Sequence, residues 1–264
     1  MSKIITFLRY SKDFIKHGEF RYILSSIRYI LKGKTTRKSR YYTSSLGKFY
    51  VRKGTLDFQF ANYAYEWGVK KFVYDNIDNY NVFLDIGANI GTYSILFANK
   101  GLTGFAFEPV ITNYDALVTN IKLNNIENKV VTFPFALGET KRKAGFTFDP
   151  INTGASHLTA NSGFLEEVAN PEFVDIDIVT FDSIFDDLNI KTNDRVFVKI
   201  DVEGMELQVL KGATDFLKKY PNILIVLESK HSGRNDIKKL LSSIADFEFL
   251  DVDDLNMAAR KNNS

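Results

Sequence analysis

The chain has 264 residues, 45% of them hydrophobic and 25% charged, with only 5 prolines, which suits one folded α/β domain or one such domain with an appendage. It contains no cysteine, and this excludes a disulfide framework, a thiolate metal site, a cysteine nucleophile and a three-cysteine iron–sulfur cluster. The net charge of +2 hides an asymmetry: up to Phe60 there are 14 basic residues against 3 acidic ones, so that part carries +11 and the remainder −9.

Residues 1 to about 32 are predicted to be helical. Ile4, Phe7, Leu8 and Ile15, then Ile23, Leu24, Ile27, Ile30 and Leu31, recur at helical spacing between basic residues, with Gly18 and Gly33 as breaks. Two roles fit this pattern. One is a helical cap with a solvated basic face, favoured because amphipathic helices usually bury their stripe against their own domain. The other is peripheral membrane contact through residues 1–40, drawn to anionic lipid. No segment is long and apolar enough to span a bilayer, and Arg9, Lys12, Asp13 and Lys16 break up any signal-peptide core. The expectation is a cytoplasmic protein, with attachment at the inner membrane surface as the alternative. The stretch from Lys34 to Ser45 reads as a basic linker, which divides the chain into an N-terminal segment, 1–48, and a main domain, 49–264.

A short strand from Phe49 and an aromatic-rich helix around Phe60 to Tyr74 come next. Strands and helices then alternate. Strands are predicted at Val82–Ile86, Phe105–Phe107, Val130–Phe133, Val196–Ile200 and Ile223–Leu227. Helices are predicted at Thr92–Asn99, Asn113–Leu123, Met205–Leu217 and near Asp236–Ile244. Continuous apolar strands separated by helices predict an α/β fold with a doubly wound, mostly parallel sheet covered on both faces.

The turn after the first of these strands reads Asp85-Ile86-Gly87-Ala88-Asn89-Ile90-Gly91. Glycine there lets the backbone turn tightly and approach a ligand. A dinucleotide fingerprint would need G-x-G-x-x-G; Asn89 stands where its second glycine belongs, which disfavours a nicotinamide oxidoreductase. The next strand ends Phe107-Glu108-Pro109, and an acid there can accept hydrogen bonds from both hydroxyls of a ribose. The D-x-G-x-x-x-G spacing resembles the first motif of class I methyltransferases.

Farther on, Val198-Lys199-Ile200-Asp201-Val202-Glu203-Gly204-Met205-Glu206 places Lys199 and Asp201 on one face of a central strand, near the end where open α/β sheets bind ligands. Together with Asp85 to Gly91, Glu108-Pro109, Leu210-Lys211-Gly212-Ala213, Asn152 to Ser156, Leu227-Glu228 and His231, this stretch resembles the FkbM-type methyltransferases over roughly Val82 to His231. The resemblance implies a seven-stranded Rossmann-like methyltransferase sheet, S-adenosylmethionine as cofactor, and O-methyl transfer to a hydroxyl of a sugar, glycan or related small metabolite. Asp85, Gly87, Asn89, Gly91, Glu108 and Ala136 are then the expected cofactor-binding residues.

A sugar hydroxyl must lose its proton during transfer, so a general base helps. Asp201, Glu203, His231 and Lys199 are the expected catalytic residues, with His231 or Asp201 taking the proton. Of the other two histidines, His157 is expected in a loop near the pocket mouth and His17 is discounted. Asp201, Glu203 and Glu228 offer oxygen ligands that suit Mg²⁺, but their spacing alone does not show a cage; no metal is expected, and the question stays open. A nucleic-acid methyltransferase lacks support: no D/N-P-P-Y/F/W motif and no RNA-binding module is present. A cofactor-binding module without activity is the remaining alternative, disfavoured by the intact acids.

Overall fold

The computed structural model describes residues 11–12, 14–20, 23, 26–29, 37–154, 156–158 and 171–262, with backbone only at 156–158. At its centre is a seven-stranded sheet. Its strands are β3 (Val82–Ile86), β4 (Thr103–Phe107), β5 (Val130–Phe133), β10 (Val196–Ile200), β11 (Ile223–Glu228), β12 (Phe247–Asp251) and β13 (Asn256–Lys261). The spatial order is β12-β13-β11-β10-β3-β4-β5. The five strands from β11 to β5 are parallel; β13 runs antiparallel to both β11 and β12.

The apolar runs explain the layering. Successive strand residues point to opposite faces. Phe83, Phe197 and Leu224 therefore join one core, while Leu84, Val198 and Ile225 join the other. Helices α3 (Thr92–Asn99) and α4 (Ile111–Leu123) follow β3 and β4, as the sequence leads one to expect. The expected helix Met205–Leu217 is two helices, α5 (Glu206–Lys211) and α6 (Thr214–Lys219). The break falls at Gly212, where a Cβ would come within 1.9 Å of the Gly138 carbonyl oxygen. Helix α7 (Arg234–Ile244) precedes the β12–β13 pair, which the alternation pattern does not reveal.

Two further differences concern the flanks. The expected basic linker contains β1 (Arg40–Thr43), paired antiparallel with β2 (Lys48–Val51). This hairpin crosses the expected boundary at residue 48. It is fixed to α4 by side chains: Asn120 Oδ1 accepts from the Tyr50 amide at 2.6 Å and Asn124 Oδ1 from the Lys48 amide at 2.9 Å. A second sheet, in the order β6-β9-β7-β8, is built from β6 (Ala136–Leu137), β7 (Arg142–Phe148), β8 (Ser156–Leu158) and β9 (Glu172–Val179).

The described residues between 11 and 29 are largely helical. Phe14 is buried in the same core as Phe49, Val51 and Phe83, and the His17 ring lies 4.0 Å from that of Trp67. This stretch thus packs against its own domain. The expected helix over residues 1–10 lies outside the described residues. Short helix α1 (Asp57–Phe60) and helix α2 (Trp67–Asn76) connect the hairpin to β3. No helix among the described residues is long and apolar enough to cross a membrane.

Candidate active site

A cavity of about 310 Å³ opens at the carboxyl ends of β3, β4, β10 and β11, where parallel α/β sheets bind ligands. Of the expected site residues, Gly87, Asn89, Glu108, Ala136, Asp201 and Glu203 line it. Asp85, Gly91, Lys199 and His231 stand behind that wall.

The glycine turn is held from below. Gly87 and Gly91 have φ of +83° and +87°, and Asn89 between them has φ +49°. These left-handed values are cheap for glycine and tolerable for asparagine. The Gly87 and Ala88 amides donate to the Phe107 carbonyl, which ties the turn to β4. Asp85 accepts a 2.5 Å hydrogen bond from the Ser94 hydroxyl one turn into α3, so its carboxylate braces the turn from the sheet side. Burial pushes Asp85 up to about 6 even though Ser94 and Lys199 oppose the shift.

Glu108 ends β4 and faces the cavity. Its two oxygens accept the amides of Asn89, at 2.8 Å, and Val110, at 2.9 Å. Burial raises it to about 7 against those bonds. The Asn113 side chain also donates to this carboxylate.

On β10, Lys199 occupies the register position beside Asp85 of β3, so the two share a face. Lys199 is buried, donates to Asp201 at 3.0 Å and stands 5.1 Å from the Tyr93 ring centroid. Burial alone would lower it; Asp201, Glu66 and Asp85 more than compensate, and it stays a cation. The sequence does not single out the residues on the other side of Tyr93. Tyr93 donates to Glu66 at 3.0 Å, while buried Lys70 lies 5.4 Å from the same ring and donates to the Tyr65 carbonyl. Burial takes Lys70 down to about 8 despite Glu66. A readable clue existed: Glu66 and Lys70 stand at i and i+4 around a helix start.

After Asp201 the chain turns sharply through Glu203, φ +49°, and Gly204, φ +94°. Glu206 clamps this turn. Its Oε1 accepts the Gly204 amide at 3.2 Å and its Oε2 the Ser232 hydroxyl. The turn thereby presents Glu203 toward Glu228, at the end of β11, and toward His231. Ligand atoms of these three lie within 4.8 Å of one another, and His231 Nε2 is 3.7 Å from Glu203 Oε2. Two carboxylates and an imidazole at that spacing could hold a divalent cation. Burial, with Asp201 and Glu228 nearby, pushes Glu203 well above the usual carboxylate range; burial and Asp201 take Glu228 to about 8.

Three other segments close the mouth. Asn152, Thr153 and Gly154 face the cavity, and Thr153 Oγ1 lies 3.4 Å from Asn89 Oδ1. His157 follows on β8, with its side chain outside the described residues. Trp67 and Asp253 complete the rim, and a Cβ on Gly68 would come 2.8 Å from Asp253 Oδ2.

This sheet order, with a glycine turn and a strand-terminal acid facing one cavity, defines a Rossmann-like methyltransferase. The sequence profile of the Methyltransferase FkbM domain matches residues 85–257, well over half the chain, and the protein belongs to that family. It is 28% identical over 181 residues to hexuronic acid methyltransferase AglP of Haloferax volcanii, covering 67% of this chain and 68% of that one. It is likewise 28% identical over 180 residues to methyltransferase sdnD of Sordaria araneosa, covering 59% of this chain and 70% of that one. Among solved structures, an FkbM methyltransferase from Methylobacillus flagellatus KT superposes with a TM-score of 0.47 at 19% identity. That superposition covers 69% of this chain and 44% of the solved one.

Proposed function

We propose that the protein is an S-adenosylmethionine-dependent O-methyltransferase whose acceptor is a hydroxyl of a sugar or glycan. The observation that carries this is the division of one cavity into two halves. Gly87, Asn89, Glu108 and Ala136 line it from β6 and from the ends of β3 and β4, and Asp201, Glu203 and Glu228 from the ends of β10 and β11. The first side fits the cofactor: the left-handed glycine turn brings its backbone to the cavity wall, and the Glu108 carboxylate suits the paired donors of a ribose. A hexuronic acid methyltransferase among the relatives supports a sugar acceptor.

When bound, S-adenosylmethionine supplies an electrophilic methyl group on sulfur. Held by the glycine turn and Glu108, it would give that methyl group to the acceptor oxygen with its sulfur as the leaving group, and the hydroxyl proton would pass to a carboxylate of the chain. Glu203 is the candidate acceptor of that proton. It lines the cavity, and His231 Nε2 stands 3.7 Å from its Oε2. Asp201, fixed by Lys199, orients the hydroxyl. Asp85 and Lys199 act as positioning residues.

The test is calorimetric titration of the full chain with S-adenosylhomocysteine, repeated on Glu108→Ala. Micromolar binding that is weakened in the variant is the expected result. No binding by a demonstrably folded wild-type chain overturns the reading.

A further inference from the structure

The stretch before the hairpin has a second side, which the domain does not cover. Phe14 is buried in the core, and Ile23 and Tyr29 pack against it. Ile15, Phe20 and Ile27 are turned outward, 56%, 59% and 36% exposed. Lys12, Ile15 and Lys16 stand at i, i+3 and i+4, which share one face of a helix, and both lysines are exposed. The acids of the region do little to offset the charge. Asp57 is buried and paired with Arg52, which leaves Asp13 and Glu19 as the remaining acids up to Phe60. From the main domain, Asp149 acts on Tyr29, on the inner side. The hairpin, packed on the same core, adds exposed Lys38, Arg40, Lys48 and Lys53, and Tyr41 is 72% exposed.

Outward apolar side chains flanked by lysines match a bilayer surface that carries negative lipid. Ile and Phe enter the boundary between headgroups and acyl chains, while lysine ammonium groups reach the phosphates above it. Each lysine near such a surface raises partitioning about fivefold. Other partners fit less well. Nucleic acid would meet the lysines, but Ile15 and Ile27 have no ring to stack on its bases. A second copy of the chain would bring the same positive face against itself. We infer that the stretch from 11 to 29 docks the protein on an anionic membrane surface, with Ile15, Phe20 and Ile27 as the apolar contacts and Lys12 and Lys16 as the headgroup contacts. A helical cap and a membrane contact are alternatives in the sequence; in the fold one stretch serves both, with opposite sides. The same stretch borders the cavity, because the His17 ring lies 4.0 Å from that of Trp67 on the rim.

The experiment floats the full chain with vesicles of phosphatidylcholine alone and of phosphatidylcholine with about 30% phosphatidylglycerol. The chain is expected to partition about tenfold more onto the anionic vesicles, and the gain should shrink as salt is raised. Lys12→Gln combined with Lys16→Gln should weaken that partitioning about tenfold, and Ile15→Ser combined with Phe20→Ser several-fold. Both variants should keep the wild-type Tm, since all four side chains are exposed. Should the serine variant unfold, the glutamine variant decides. Equal partitioning onto the two kinds of vesicle overturns the inference, and so does a folded glutamine variant that floats as the wild type does. A dimer in sedimentation velocity that the serine variant abolishes gives the face to a second copy and overturns it too. Binding of a single-stranded oligonucleotide where anionic vesicles fail to bind does the same. The face lies outside the cavity, so the methyltransferase reading is untouched by any of these outcomes.

Discussion

A Cβ placed on Gly87 would lie 1.9 Å from the carbonyl oxygen of Asp201. The glycine turn after β3 and the acid-rich turn after β10 are thus pressed backbone to backbone. Gly87→Ala meets both that overlap and a left-handed φ of +83°. It should cost about 2–4 kcal/mol in urea unfolding, a strained backbone plus an overpacked contact. Gly101→Ala is the control, because φ is +100° there but nothing lies within 4 Å. It should cost about 1–2 kcal/mol. Equal losses would mean the contact with Asp201 does not constrain the turn.

Lys199 neutralises Asp201 and Asp85 from a position sealed off from water. Lys199→Met should destabilise by about 3–5 kcal/mol at neutral pH, because it strands buried carboxylates. Combining it with Asp201→Asn should restore part of the loss, since the uncompensated charge goes too. A double variant less stable than the single would show that the pair does not act as a unit.

Glu108 serves the fold before it serves any ligand. Glu108→Ala leaves the Asn89 and Val110 amides without their acceptor, which should cost about 1–3 kcal/mol by denaturant titration. S-adenosylhomocysteine binding should weaken as well. A variant that unfolds earlier yet binds as wild type does would sink the ribose assignment and keep the structural one.

The pH dependence should run opposite to the usual carboxylate case. Burial and Asp201 hold Glu228 near 8 in the folded chain, against an ordinary value of 4.5. Between those values the folded state binds more protons than the unfolded one. Stability therefore falls as pH rises from about 4.5 to about 8. Glu108, at about 7, and Asp85, at about 6, push the same way over narrower windows. The Tm should be higher at pH 6 than at pH 8, and Glu228→Gln should flatten the difference. A steeper slope in that variant would refute the assignment.

Sequence patterning alone determined the five parallel strands of the sheet, because their signals are local. Ile223–Leu227 is apolar throughout, and Val82–Ile86 and Val196–Ile200 are apolar but for Asp85 and Lys199, runs that suit a covered parallel strand. The turn from Gly87 to Gly91 and the strand-terminal Glu108 were equally legible, since both are fixed by position within a βα unit. The tertiary structure decided the rest. Residues 40–43 pair as a strand because β2 supplies an edge for them, although their polar composition reads as linker. The helix from 205 breaks at Gly212 because another stretch of backbone passes there. Glu66, Lys70 and Tyr93 belong to the site only because α2 and α3 lay them beside Lys199. Glu206 clamps a turn through a hydroxyl 26 residues away. His231 was readable as a candidate base, but folding set Glu203 in the cavity wall with His231 behind it. Charges that are far apart in sequence acquire a shared field only when burial strips away the water between them, and that field is a property of the fold.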